Sequence, residues 1–115
     1  MRPILMIGCD NGSLGAVSGA LEDAGYPVTC SRSDKEAVNA LRARPLPALI
    51  LVDLDMAAAN APQWFELTQS DPALATVPVV AIGSPNAERS ERSIAGFLRK
   101  PIKLHALLNL IADYC

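Results

Sequence analysis

The chain has 115 residues, half of them apolar, only 4% aromatic, and a net charge of −2. That length suits one domain and excludes two. The few Lys and Arg are scattered, with no basic stripe and no interleaved aromatics. Direct nucleic-acid binding therefore has no support. No run of about 18 apolar residues exists, so no membrane span is expected. The N-terminal apolar run is short and soon followed by Asp10, which excludes a signal peptide and points to the cytoplasm. Cys9, Cys30 and Cys115 form no CxxC pair, and His105 alone could join them at a zinc site. They read as free thiols of a reducing compartment.

Ile4 to Ile7 reads as a first strand, ended by Gly8. Asn11 can cap a helix whose inner face carries Leu14, Val17 and Leu21, and Gly25 stops it. Val28 to Cys30 is a second strand. Ser33-Asp34-Lys35-Glu36 is a capping box: the serine caps, and the glutamate reaches back. Ala37, Ala40 and Leu41 then face inward until Pro45 and Pro47 end the helix. Leu49 to Val52 is a third strand. It lies within the longest apolar stretch, Ala48 to Val52, and implies burial on both faces. Residues 57–62 form a loop. Trp64 and Leu67 mark a third helix that ends around Ser70, and their spacing fits packing as well as a partner surface. Pro78 to Ile82 is a fourth strand, and Ile94 to Arg99 holds a short fifth. Leu104, Leu107, Leu108 and Ile111 form the apolar stripe of a final helix.

Strand and helix alternate throughout, which predicts an α/β fold with a doubly wound five-stranded parallel sheet. Ligand chemistry in such folds sits at the carboxyl ends of the strands. The residues there are Gly8, Cys9, Asp10, Asp53, Asp55, Gly83, Ser84 and Lys100.

Those strand ends carry a resemblance. Leu49-Ile50-Leu51-Val52-Asp53-Leu54-Asp55-Met56 resembles the strand of response-regulator receiver domains that ends in a phosphoacceptor aspartate. Lys100-Pro101, after Gly96-Phe97-Leu98-Arg99, resembles that family's lysine-proline pair. Pro78 to Ile82 resembles its fourth strand, and Ala24-Gly25-Tyr26-Pro27-Val28 its turn into the second. The resemblance implies a flavodoxin-like (βα)5 domain over residues 1–115. It implies Asp53 as phosphoacceptor, Lys100 as a fixed point charge on the phosphoryl group, and Phe97 as the switch aromatic. A magnesium ion would bridge acids and phosphoryl oxygens, and Lys100-Pro101 would be cis. The implied partners are a histidine kinase, a phosphotransfer protein or a downstream signalling protein. A homodimer is a further option. The chain would be a signalling module and not an enzyme.

Three departures qualify the match. The family's two adjacent metal-holding acids align with Gly8 and Cys9, and Asp10 sits one place late. Glycine has no ligand, and cysteine is a soft one ill matched to magnesium. Asp10 and Asp55 are the residues left to hold a metal. The hydroxyl position aligns with Gly83, with Ser84 next in line to contact the phosphoryl group. The stretch from Gly83 to Lys100 falls short by more than one helical turn, so the fourth helix is expected to be short or distorted.

Two functions follow: an atypical receiver that acts by protein–protein interaction with weak magnesium-dependent phosphorylation, and a functional phosphoacceptor. A third reading is a small-molecule binder, with Asn11-Gly12-Ser13 as a phosphate-binding turn. The chain is read either as a stand-alone receiver or as the N-terminal piece of a longer protein.

Overall fold

A computed structural model describes residues 2–8, 13–43, 45–53, 63–83, 95–99 and 102–114. The strands are β1 (Ile4–Ile7), β2 (Val28–Ser31), β3 (Leu49–Asp53), β4 (Val79–Gly83) and β5 (Gly96–Arg99). The described helices are α1 (Ser13–Asp23), α2 (Asp34–Arg42), α3 (Gln63–Ser70) and α4 (Leu104–Tyr114), with one 3-10 turn at Leu74–Thr76. All strand pairs are parallel, and the sheet order is β2-β1-β3-β4-β5. This is the doubly wound five-stranded parallel sheet that the alternating pattern predicts. The expected short fourth helix falls in 84–94, outside the described residues.

β1, β3 and β4 are buried along their whole length. Their side chains alternate between two apolar layers, as the pleat requires. Ile4, Met6, Leu49, Leu51, Val80 and Ile82 pack on Val17 and Leu21 of α1 and on Leu107 and Ile111 of α4. Leu5, Ile7, Ile50, Val52, Val79 and Ala81 pack on Ala37, Val38 and Leu41 of α2 and on Trp64 of α3. The continuous apolar strands thus have helices on both faces. Trp64 is 4% exposed and meets Phe65 edge-on, with ring centroids 5.6 Å apart. It is a packing residue.

Several local devices follow the sequence closely. Gly25 adopts φ 97°, open to glycine without strain. Its amide donates to the Glu22 carbonyl, and the Tyr26 amide donates to the Leu21 carbonyl, both at 3.0 Å. These two bonds make a Schellman end to α1, and Tyr26 packs back onto the layer that holds Leu21. At α2, the Ser33 hydroxyl accepts from the Glu36 amide at 3.1 Å. The Glu36 carboxylate reaches back to the amide of Arg32 at 2.9 Å. The box forms as the sequence implies, with its second bond closing on Arg32.

Two expectations need correction. Leu104 is 47% exposed, although it continues the apolar stripe of α4. It stands in the first turn of α4, while Leu107 and Ile111 are fully buried. Cys30, read as a free thiol, is disulfide-bonded. Spacing along a chain carries no information about a bond made between separate elements.

Asp34 does work that its sequence position hides. Its carboxylate accepts from the amides of Gln63 at 3.0 Å and Trp64 at 2.9 Å. It stands at the start of α2 yet serves the first amides of α3, which have no intrahelical acceptors. Its charge also complements the positive end of the α3 dipole. Asp34→Ala is expected to lower stability by about 1–2 kcal/mol, the usual cost of a lost helix cap. Urea unfolding should show the Asn variant, which keeps one acceptor, falling between wild type and Ala.

Candidate functional site

The parallel register brings the candidate residues to one end of the sheet. Ile7 pairs with Val52, and Asp53 pairs with Ile82. Gly8 therefore follows β1 as Asp53 follows Val52, on adjacent strands about 5 Å apart. Gly83 closes β4 one residue beyond the partner of Asp53. Asp53 is the last residue of β3 and is 2% exposed. Strand alternation puts it on the face of Leu49 and Leu51, towards the α1 and α4 layer.

Asp53 extends β3 one residue past the predicted strand end. A carboxylate this buried is expensive unless its oxygens have partners. No buried side-chain nitrogen or oxygen among the described residues is left without a hydrogen bond. Asp53 is a buried polar side chain ending a fully apolar central strand. It is not a surface cap.

Gly8 has φ 88°, the left-handed region, and its amide donates to the Ser31 carbonyl at 3.0 Å. The sequence shows why an acid is absent here only as a residue type. The backbone adds that the position is turned, which suits glycine. Phe97 lies on β5, half-buried, paired with Ala81, and packs on the layer of α2 and α3. Asp53 and Phe97 thus sit on neighbouring rows and opposite faces of the sheet. Cys9, Asp10, Asp55, Ser84, Lys100 and Pro101 lie outside the described residues. So do Asn11 and Gly12 of the phosphate-turn reading, while Ser13 begins α1.

The described donors do not make a magnesium site. Asp53 is the single carboxylate among the last residues of the five strands, and Gly8 offers no side chain. No group of three or more His, Cys, Asp or Glu suited to a metal exists among the described residues. No described helix is long and apolar enough to cross a membrane.

Five parallel strands in the order β2-β1-β3-β4-β5, with helices on both faces and an aspartate ending the central strand, make the flavodoxin-like fold of receiver domains. The comparisons agree. The chain superposes on a CheY-like receiver domain from Methylobacillus flagellatus with TM-score 0.76 and 20% identity, covering 100% of this chain and 99% of that one. A receiver domain from Clostridium thermocellum gives TM-score 0.80 at 17% identity, over 99% and 94%. The receiver domain of a Pseudomonas aeruginosa sensor histidine kinase, with magnesium coordinated in its active-site cleft, gives 0.76 at 21%, over 98% and 96%.

In sequence the chain is similar to the two-component response regulator-like protein APRR1 of Arabidopsis thaliana, 28% identical over 113 residues. That match covers 93% of this chain but 18% of the plant protein's length. No protein-family model matches the chain.

Gly8→Ala tests the turn at the end of β1. A Cβ in the left-handed region costs roughly 1–2 kcal/mol. A loss of that size in urea-unfolding stability is expected, and no loss would show that the turn relaxes freely.

Proposed function

We propose that this domain is an atypical receiver of two-component signalling that works by protein–protein interaction, with impaired magnesium-dependent phosphorylation at Asp53. The observation that carries this reading is the neighbourhood of Asp53. A buried carboxylate ends the central strand, flanked at adjacent strand ends by Gly8 and Gly83.

A carboxylate nucleophile attacks phosphorus and forms an acyl phosphate. Such transfer depends on positioning and charge neutralisation more than on proton transfer. Here Asp53 would be the nucleophile, and Lys100 would neutralise charge on the phosphoryl oxygens. Ser84 would offer the hydroxyl that Gly83 lacks. Magnesium, when bound, would screen the phosphoryl charge. Its holders would be Asp53 with Asp10 or Asp55, a smaller acidic set than the resemblance leads one to expect. Phe97 takes the place of the aromatic that reports the change. The partner is a histidine kinase, a phosphotransfer protein or a downstream signalling protein in the cytoplasm. The domain is not itself an enzyme.

A specific observation supports the phosphoacceptor alternative. The Pseudomonas receiver of the same fold holds magnesium in its cleft, and Asp53 is retained here at a buried strand end.

Acetyl phosphate with magnesium separates the two readings by mass spectrometry of the intact protein. The wild type is expected to label at least about tenfold more slowly than a Gly8→Asp/Cys9→Asp double variant, a barrier difference of roughly 1.4 kcal/mol or more. Aspartate is among the few residues that tolerate the left-handed backbone of position 8. Rapid wild-type labelling that Asp53→Asn abolishes would establish the phosphoacceptor instead.

A further inference from the structure

α1 and α4 share one face of the sheet, where Val17, Leu21, Leu107 and Ile111 hold them to the core. Both run from the carboxyl end of the sheet to its amino end. α1 leads through Tyr26 to Pro27, whose carbonyl accepts from the Ile4 amide at 2.9 Å, at the start of β1. α4 ends at Tyr114, whose hydroxyl donates to the Ala95 carbonyl at 3.2 Å, just before β5. The two helices have 11 residues each and touch one another. They are parallel neighbours about 16 Å long.

Their charges stand against their dipoles. Lys103 occupies the cap position at the positive end of α4, where its carbonyl accepts from the Leu107 amide at 3.1 Å. Glu22 and Asp23 end α1, and Asp113 stands in the last turn of α4. Neither helix has an acid in its first turn or a base in its last. Helix ends favour the opposite signs. All four charged side chains are exposed. From Arg92 to Ala112 the sequence carries Arg92, Arg99, Lys100 and Lys103 and no acid. The layer is thus basic at one end and acidic at the other. Within one copy that arrangement weakens the helix ends, whereas a second copy turned end for end relieves it.

An apolar row joins the two ends. Leu104, Leu108 and Ala112 recur at four-residue steps along α4. Leu104 is 47% exposed, Leu108 is half-buried and Ala112 is exposed. Leu108 is the midpoint: Leu104 and Ala112 stand four residues either side of it, and Lys103 and Asp113 five. Antiparallel pairing of two α4 helices about Leu108 sets Leu104 against Ala112, large on small, and Lys103 against Asp113, each twice. The same pairing brings Glu22 and Asp23 to the first amides of the other copy's α1, which have no intrahelical acceptors.

We propose that this chain forms an isologous homodimer through the α1 and α4 face, the cationic end of each copy against the acidic end of the other. The occupant is a second copy because the face is its own complement in charge and in side-chain size. Two helices about 16 Å long and together about 20 Å wide offer roughly 300 Å² of flat surface. A standard interface buries about 800 Å² on each partner, so this is a small, transient contact. Its dissociation constant is expected to be weaker than about 1 μM. The pairing rests on these two helices and not on the chemistry of Asp53.

Sedimentation equilibrium of the full chain, with free thiols alkylated, tests this from micromolar to millimolar protein. A monomer–dimer equilibrium is expected. It should weaken as salt rises from about 0.1 M to 1 M and the screening length falls from about 10 Å to 3 Å. Lys103→Glu makes both ends acidic, and the triple variant Glu22→Lys/Asp23→Lys/Asp113→Lys makes both basic. Each should self-associate at least about tenfold more weakly than wild type. An equimolar mixture of the two should form a heterodimer. Both variants match their charges to the helix dipoles, so neither should unfold at lower urea than wild type. A wild-type monomer at every concentration would leave this face to some other partner and overturn the proposal. So would association that salt strengthens, Lys103→Glu dimerising as wild type does, or a mixture that stays monomeric.

Discussion

Everything in this domain depends on the burial of β3. Leu49 to Asp53 have no strand edge free and no face in water. β1 and β4 pair on either side, and two apolar layers close over the faces. Each fully buried aliphatic side chain contributes about 1.5–3 kcal/mol relative to exposure. A strand held this firmly places its last residue with little freedom, and that residue is the carboxylate of Asp53. A central strand of the core therefore also delivers the acid.

The helix ends add restraints around that fixed strand. α1 is terminated by Gly25 and Tyr26, α2 is opened by Ser33 and Glu36, and α3 is started by Asp34 from a different element. Asp34 joins the start of α2 to the start of α3, the element that follows the segment after Asp53. The carboxyl ends of β1, β3 and β4 thus come together under restraint from helix termini as well as from the sheet. The same arrangement puts glycine at two of the three strand ends, Gly8 and Gly83. Glycine there supplies backbone and no charge. This is the physical basis for separating the place of Asp53 from its chemistry.

Much of this was legible in the residues. The apolar runs at 4–7, 49–52 and 78–82 are continuous because both faces are covered, so periodicity and composition agree. Gly25 and the Ser33 box are local signals with local causes, and both operate as read. Leu104 begins the final helix as its stripe implies, but an apolar stripe does not say which of its residues are covered. Asp34 and Cys30 were not legible in their roles. Each makes its bond to a distant part of the chain, and only the pairing of separate elements brings such partners together. The strand end of Asp53 is legible in the residues, while the turned backbone at Gly8 is not carried by its residue type.

The proposed function rests on Asp53 having too few metal ligands beside it. Amide chemical shifts of the full chain, recorded during titration with magnesium and then with magnesium and beryllofluoride, test it most directly. No saturable shifts are expected at the amides of Gly8, Asp53, Gly83 and Phe97. Saturating shifts at those four positions, lost in Asp53→Asn, would contradict it and establish a working phosphoryl site.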